Sequence, residues 1–185
     1  MVLRFFPSTW ESMGCQKQFT RNYQPRPQGY VPKEPDTRRG GRWMVLASWI
    51  ALNGAIGLLR LFNIIDEGIL VLICLAYSVC DVICILFFCP FQTWFMKNKC
   101  CGSCRIYNWD YAMMFTPLIF VSSPFAWSLF GLGLLLLIEW EVAYQLRPDR
   151  FYECANESLA CKNCPEKLCH HQKQLRSFLQ TPWKQ

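Results

Sequence analysis

Charged residues are few between Met44 and Tyr144, and the chain has only two histidines, His170 and His171. Both histidines lie in a cysteine-rich stretch, so they do not form a Ser/His/Asp set of the kind that catalyses acyl transfer. The sequence also lacks a glycine-rich phosphate-binding loop and a pair of carboxylates in a plausible cleft. These absences favour a protein that is not an enzyme.

The scarcity of charge coincides with an apolar composition, in which 52% of the residues are hydrophobic and 17% are charged. Both flanks of the apolar region are polar and basic, which is typical of an integral membrane protein with polar tails. The positive residues behind the net charge of +6 lie where cytoplasmic flanks carry them, which indicates membrane lipids as partners and no nucleic acid. Met1–Trp10 has neither the long apolar run nor the cleavage site of a signal peptide.

The apolar pattern predicts an all-α polytopic membrane helix bundle of four segments, of which the third is short or re-entrant. The segments are residues 43–65, 69–96, 110–121 and 124–144. A basic, proline-containing cytoplasmic tail, residues 1–42, precedes them. A cysteine-containing loop, residues 97–109, joins the second segment to the third, and residues 145–185 form a cysteine-rich cytoplasmic tail.

The number of membrane crossings depends on Tyr111–Tyr144. A single straight helix of that length would run about 50 Å, well beyond a hydrocarbon core about 30 Å thick. Val121–Pro124 offers a break, which makes a hairpin feasible. Four crossings place the basic C-terminal tail on the same side as the basic N-terminal tail, whereas three would separate them. The positive-inside rule therefore favours four crossings of the cell membrane, with both termini cytoplasmic.

Twelve cysteines are many for 185 residues, and two Cys-x-x-Cys pairs occur in the polar stretches. Cys101 and Cys104 lie in the loop, and Cys161 and Cys164 lie in the tail. Because both stretches are predicted to be cytoplasmic, these four thiolates can converge on one metal ion in tetrahedral geometry. The spare residues that can act as alternative ligands are Cys100, Cys154, Cys169, His170 and His171.

Four protein ligands leave no open coordination position, which indicates a structural zinc that joins the loop to the tail as a small cytoplasmic cap. An iron–sulfur cluster is an alternative cofactor, since it also accepts four thiolates. A thiol–disulfide couple at Cys101 and Cys104 is a further alternative, although no thioredoxin-like context surrounds this pair.

A polar stripe in the second segment follows the three- and four-residue steps of a helix. Its members are Cys74, Tyr77, Cys80, Asp81 and Cys84. An ionised Asp81 near mid-membrane costs about 2.5–3.5 kcal/mol or more, so it must be buried in the bundle, protonated or paired. Arg60 is a poor partner for Asp81, because it lies roughly 10 Å nearer the outer membrane surface. The stripe is either a packing face with one hydrogen-bonded acid or an ion, proton or redox path.

Two stretches, Cys100–Phe120 (CCGSCRIYNWDYAMMFTPLIF) and Cys161–Cys169 (CKNCPEKLC), resemble small prokaryotic multi-pass membrane proteins that have no assigned activity. The likeness covers only part of the chain. It implies a membrane location and carries over no activity, substrate or site residue.

Three functions are consistent with these patterns. The first is an integral membrane scaffold or accessory protein whose zinc-joined loop and tail bind a protein partner or lipid headgroups. The second is a membrane redox protein with an iron–sulfur cluster or a reactive Cys-x-x-Cys. The third is a transporter of a small ion or solute that uses Asp81. Small residues on the first segment also make a homo-oligomer feasible.

Overall fold

The structure is a computed structural model that describes residues 1–6, 17–27, 36–96 and 104–160. This described part contains no β-strand, and a single isolated bridge joins Pro25 to Asn156. The predicted all-α class is therefore confirmed. The α-helices are α1 (Asp36–Leu61), α2 (Glu67–Leu86), α3 (Asp110–Phe115) and α4 (Pro124–Leu146). Short 3-10 helices and a π-helical turn, Phe91–Met96, occupy much of the rest.

Three helices are long and apolar enough to cross a membrane: the Gly40–Leu61 part of α1, all of α2 and all of α4. The 20 residues of α2 would extend about 30 Å, which matches the hydrocarbon core. The outward faces carry large apolar side chains that remain exposed, among them Ile50, Leu72, Val79 and Leu135. Exposed apolar surfaces of this kind are stable in contact with lipid and are consistent with a multi-pass membrane protein.

A tight turn joins α1 to α2 at the end of the bundle that we call the Glu67 end, formed by Arg60, Glu67 and Ser122. Asn63 in this turn has a φ of 54°, a left-handed conformation that asparagine tolerates. Arg60 Nη2 pairs with Glu67 Oε1 at 3.2 Å. The Arg60 guanidinium is therefore directed toward this turn and does not pair with Asp81.

The start of α2 is capped by Asp66, whose Oδ1 accepts a hydrogen bond from the Ile69 N–H at 2.9 Å. We expect Asp66→Ala to lower the free energy of unfolding by about 1 kcal/mol, because the cap satisfies an N–H that has no helical partner. Denaturation of the purified protein in mixed micelles measures this loss. Asp66→Ser keeps an acceptor at the same place and serves as the control; equal losses in both variants would contradict the prediction.

The second predicted segment, residues 69–96, is not one helix in the structure, because α2 ends at Leu86. The Phe87 N–H closes the last turn on the Ile83 carbonyl at 2.8 Å. Pro90, which cannot donate a backbone hydrogen bond, then precedes the separate π-helical turn Phe91–Met96. The helix therefore ends four residues before Pro90, in a wide turn where the Phe88 N–H also donates to the Ile83 carbonyl at 3.3 Å.

The predicted short third segment consists of α3 followed by the 3-10 helix Thr116–Phe120. It begins beside Arg4, which pairs with Asp110, and it leads to Ser122, whose N–H donates to Glu67 Oε1 at 3.4 Å. Six α-helical and five 3-10 residues rise about 19 Å, which is less than the hydrocarbon thickness. A fourth full membrane crossing therefore stays a prediction.

The opposite end of the bundle, which we call the Arg4 end, collects the described segments that flank the helices. Phe19 and Phe151 pack on Trp140 of α4, with ring centroids 5.5 and 6.1 Å from the indole. Asn156 is fully buried and donates to the carbonyl oxygens of Lys17 and Arg150 at 3.4 and 2.9 Å. The described N-terminal and C-terminal segments thus lie at the same end, and which end faces the cytoplasm stays a prediction.

Candidate functional site

A cavity of about 530 Å³ lies between α1, α2, the turn after α2 and residues 104–114. Its volume falls within the range of small-molecule sites, roughly 300–1,000 Å³. Most of its wall is apolar, aromatic or sulfur-bearing. The titratable side chains on the wall are Tyr77, Cys80, Asp81, Cys84, Cys89, Cys104, Tyr107 and Asp110.

One face of α2 supplies most of the polar residues that the sequence predicts inside the membrane. Four of them line the cavity: Tyr77, Cys80, Asp81 and Cys84. Cys74, the remaining member of the stripe, is 8% exposed and packs in an apolar core cluster with Leu118. The helical stripe thus divides into a packing residue and four residues that share one cavity.

The Asp81 carboxylate is half-buried and makes no hydrogen bond or ion pair with any residue of the described ranges. Two charged groups act on it electrostatically, Asp110 and Arg4. Asp81 is therefore held near a second acid and near one cation, without a direct partner of its own.

Asp110 lies on the cavity wall and has a direct partner in Arg4. Both Asp110 carboxylate oxygens accept from Arg4 Nη1 at 2.7 Å, and the guanidinium carbon lies 4.6 Å from the ring centroid of Tyr111 and 5.8 Å from that of Tyr107. The two side chains are 5% and 13% exposed. The N-terminal segment is thus fixed to α3 by a buried ion pair whose guanidinium packs against two aromatic rings.

Charge is unevenly distributed around the cavity. Of the described residues that line it, Asp81 and Asp110 are acids and none is a lysine or arginine. Arg4, from behind the wall, offsets one of the two carboxylates. When both acids are ionised, these three groups carry one net negative charge, which a low-dielectric site does not tolerate well without a cation or a proton.

Aromatic side chains flank Asp81. The rings of Trp49 and Tyr77 lie 5.0 Å apart, and the Trp49 indole N–H donates to Thr116 Oγ1 at 3.2 Å, which fixes the orientation of the indole. Tyr77 Oη is buried without a hydrogen-bond partner in the described part of the chain. Phe91 also lines the cavity. Asp81 therefore shares the cavity wall with an aromatic pair, and the tyrosine hydroxyl of that pair has no hydrogen-bond partner in the described part of the chain.

The loop wall of the cavity is fastened to α4 by Glu141. One of its oxygens accepts from the Trp109 indole N–H at 2.8 Å and from Arg105 Nε at 3.1 Å, and its other oxygen pairs with Arg105 Nη2. The Arg105 guanidinium also lies 4.0 Å from the ring centroid of Tyr144. This clamp holds residues 105–109, and with them one side of the cavity, in a fixed position on α4.

Two of the cavity thiols, Cys84 and Cys89, are hydrogen-bonded to each other. The Gln92 N–H also donates to Cys89 Sγ at 3.4 Å. The hydrogen bond from Cys84, opposed in part by burial, lowers the pKa of the Cys89 thiol from its usual value. Residue spacing alone does not single out Cys89, because this cysteine lies beyond the end of α2.

The predicted metal site falls largely on residues about which the structure gives no description. Cys101, Cys161 and Cys164 lie outside the described ranges, as do the alternative ligands Cys100, Cys169, His170 and His171. Cys104 is buried and lines the cavity, and Cys154 is half-buried. Within the described ranges, no three or more histidine, cysteine or acidic residues are grouped to hold a metal ion. The zinc or iron–sulfur centre therefore stays a prediction.

Comparisons with protein-family models, with curated proteins and with solved structures gave no match for this chain.

Proposed function

We propose that this multi-pass membrane protein binds a small lipophilic organic cation in the cavity, as the binding step of a solute transporter. The observation that carries the proposal is the Asp81 carboxylate, which lies on an aromatic cavity wall without a direct partner in the described ranges. An ionisable residue in a membrane segment is a functional candidate by default, since its burial is costly. This is the third of the functions that the sequence suggests.

The chemistry of the wall supports an organic cation over a hard metal ion. Calcium needs six to eight oxygen ligands and magnesium needs octahedral oxygen coordination, whereas the charged oxygen donors among the described residues of this wall are those of Asp81 and Asp110. Trp49 and Tyr77 instead present π-faces, which attract a diffuse positive charge. Phe88, Met113 and Met114 complete an apolar surface suited to a lipophilic body.

Tetraphenylphosphonium is a suitable probe, because it is lipophilic, aromatic and permanently cationic. We expect Asp81→Asn to weaken its binding to the purified protein about tenfold, the equivalent of about 1.4 kcal/mol, since the amide keeps the shape of the carboxyl but not its charge. Isothermal titration calorimetry in detergent measures the affinity. The expected result extends to vesicles, where uptake of the probe should fall with Asp81→Asn.

Two controls make the test specific. Glu139→Gln removes an acid from an exposed position on α4 and should leave the affinity unchanged. Tetraphenylborate has the same shape with the opposite charge and should not bind. Equal affinity of the wild type and Asp81→Asn for tetraphenylphosphonium, or equal binding of the two probes, would refute the proposal.

A further inference from the structure

The break after α2 brings two cysteines together. Cys84 lies in the last turn of α2, which ends at Leu86, and a wide turn follows in which the Phe88 N–H donates to the Ile83 carbonyl, five positions back, at 3.3 Å. The two thiols are hydrogen-bonded to each other, which places their sulfur atoms side by side. The wide turn accounts for this proximity, because an undistorted α-helix would direct residues five positions apart in different directions.

The surroundings distinguish the two sulfur atoms. Cys89 Sγ accepts the Gln92 N–H at 3.4 Å and a further backbone hydrogen bond from Phe91. Cys84 supplies the third hydrogen bond to Cys89. Hydrogen-bond donors directed at one sulfur stabilise its thiolate. Cys89 is therefore the nucleophile of the pair, and Cys84 is the resolving thiol that attacks the mixed disulfide.

Both thiols are accessible from the same space. Cys84 and Cys89 are each half-buried, and each lines the 530 Å³ cavity. Cys74, which lies deeper in the bundle, is buried and absent from the cavity wall. A small molecule in the cavity can therefore reach the pair, and the aromatic and methionine side chains around it favour an apolar one.

We infer that Cys84 and Cys89 form a thiol–disulfide exchange site whose substrate is a small, apolar disulfide that enters the cavity. The inference does not depend on the binding of an organic cation. It also differs from the Cys-x-x-Cys couple considered from the sequence, because Cys101 lies outside the described ranges and neither of the present residues belongs to such a motif.

The exchange occurs in two balanced steps. The Cys89 thiolate attacks one sulfur of the substrate disulfide, which forms a mixed disulfide at Cys89 and releases one substrate thiolate. Cys84 then attacks Cys89 Sγ, forms the Cys84–Cys89 disulfide and expels the second thiolate, which takes the proton of Cys84. In sum, two protein thiols are oxidised and one substrate disulfide is reduced to two thiol groups.

The test uses the full-length, anaerobically reduced protein and one molar equivalent of 4,4′-dithiodipyridine, a small aromatic disulfide. Remaining thiols are alkylated at once, and peptide mass spectrometry locates each disulfide. We expect Cys84–Cys89 to be the main product, while Cys80, one turn before Cys84 on the same cavity wall, stays alkylated. A product distribution in which Cys80 or other thiols are consumed first would overturn the inference.

Two variants test the assigned order. Cys84→Ala should trap the mixed disulfide at Cys89, because the second step has lost its thiol, and Cys89→Ala should abolish reaction at Cys84. Cys154→Ser is the control, because Cys154 is half-buried but does not line the cavity, and it should leave the Cys84–Cys89 product unchanged. If the reduced pair instead binds a soft metal ion that blocks its reaction with the probe, as metal analysis of the purified protein would reveal, the exchange site is refuted.

Discussion

Replacing Arg4 with methionine is expected to lower the free energy of unfolding by about 3–5 kcal/mol, because it leaves the Asp110 carboxylate buried without its cation. Arg4 Nη1 donates to both Asp110 carboxylate oxygens at 2.7 Å, and the two side chains are 5% and 13% exposed. Methionine keeps most of the volume that packs on Tyr107 and Tyr111, so the loss reports mainly the uncompensated charge. Denaturation of the purified protein in mixed micelles, followed by circular dichroism, measures it.

A matched control comes from the other end of the bundle. Arg60→Met breaks an ion pair whose side chains are 27% and 48% exposed, and exposed pairs contribute about 0–1 kcal/mol. The double variant Arg4→Met with Asp110→Leu should recover much of the loss, since it removes both charges together. A loss in Arg4→Met no greater than that in Arg60→Met would show that Asp110 is solvated and that the pair does not anchor the N-terminal segment.

The Arg4–Asp110 pair also shows where sequence reasoning reaches its limit. The N-terminal tail is basic and rich in proline, and from the pattern alone its arginines were expected to set membrane orientation. Arg4 instead contacts a residue 106 positions away. Such a contact has no periodicity to reveal it, because it depends on how separate segments meet at one end of the bundle.

The parts of the fold that the sequence predicts well are those with a strong local cause. The long apolar runs are the three helices that can cross a membrane, since their length and hydropathy follow directly from consecutive residues. The three- and four-residue spacing from Tyr77 to Cys84 likewise places four side chains on one wall. The same spacing does not predict that Cys89 lines this wall, because it holds only if α2 continues past Leu86.

Residue spacing cannot predict the other wall of the cavity. Residues 104–114 come from a different part of the chain, and their position depends on Glu141 of α4, which binds Arg105 and Trp109. In the sequence, Glu141 suggests only an acid near the membrane interface. Its role as a clamp follows from the close packing of α3 on α4, where Gly133 lies against the backbone of Tyr111.

The second large effect on stability is expected from substituting two adjacent glycines in α1, Gly40 and Gly41. A Cβ on Gly41 would overlap the carbonyl oxygen of Phe95, whereas a Cβ on Gly40 would meet no atom within 4 Å. We expect Gly41→Ala to lower the free energy of unfolding by about 3 kcal/mol, at the upper end of overpacking costs, because the obstacle is backbone and cannot rotate away. Gly40→Ala should raise it by about 0.5–1 kcal/mol, since alanine favours a helix more than glycine does.

The contrast between Gly40 and Gly41 tests the packing of the π-helical turn, to which Phe95 belongs, on α1. This turn follows Cys89, so its displacement in Gly41→Ala should also disturb the hydrogen bond from Gln92 to the Cys89 sulfur. Denaturation in mixed micelles measures both variants, and the pH dependence of Cys89 alkylation reports the turn separately. Removing a donor raises the pKa of the thiol, so alkylation of Cys89 in Gly41→Ala should require a higher pH than in Gly40→Ala. Equal stabilities with equal pH profiles would place the turn away from α1, because identical neighbouring residues differ here only in what they contact.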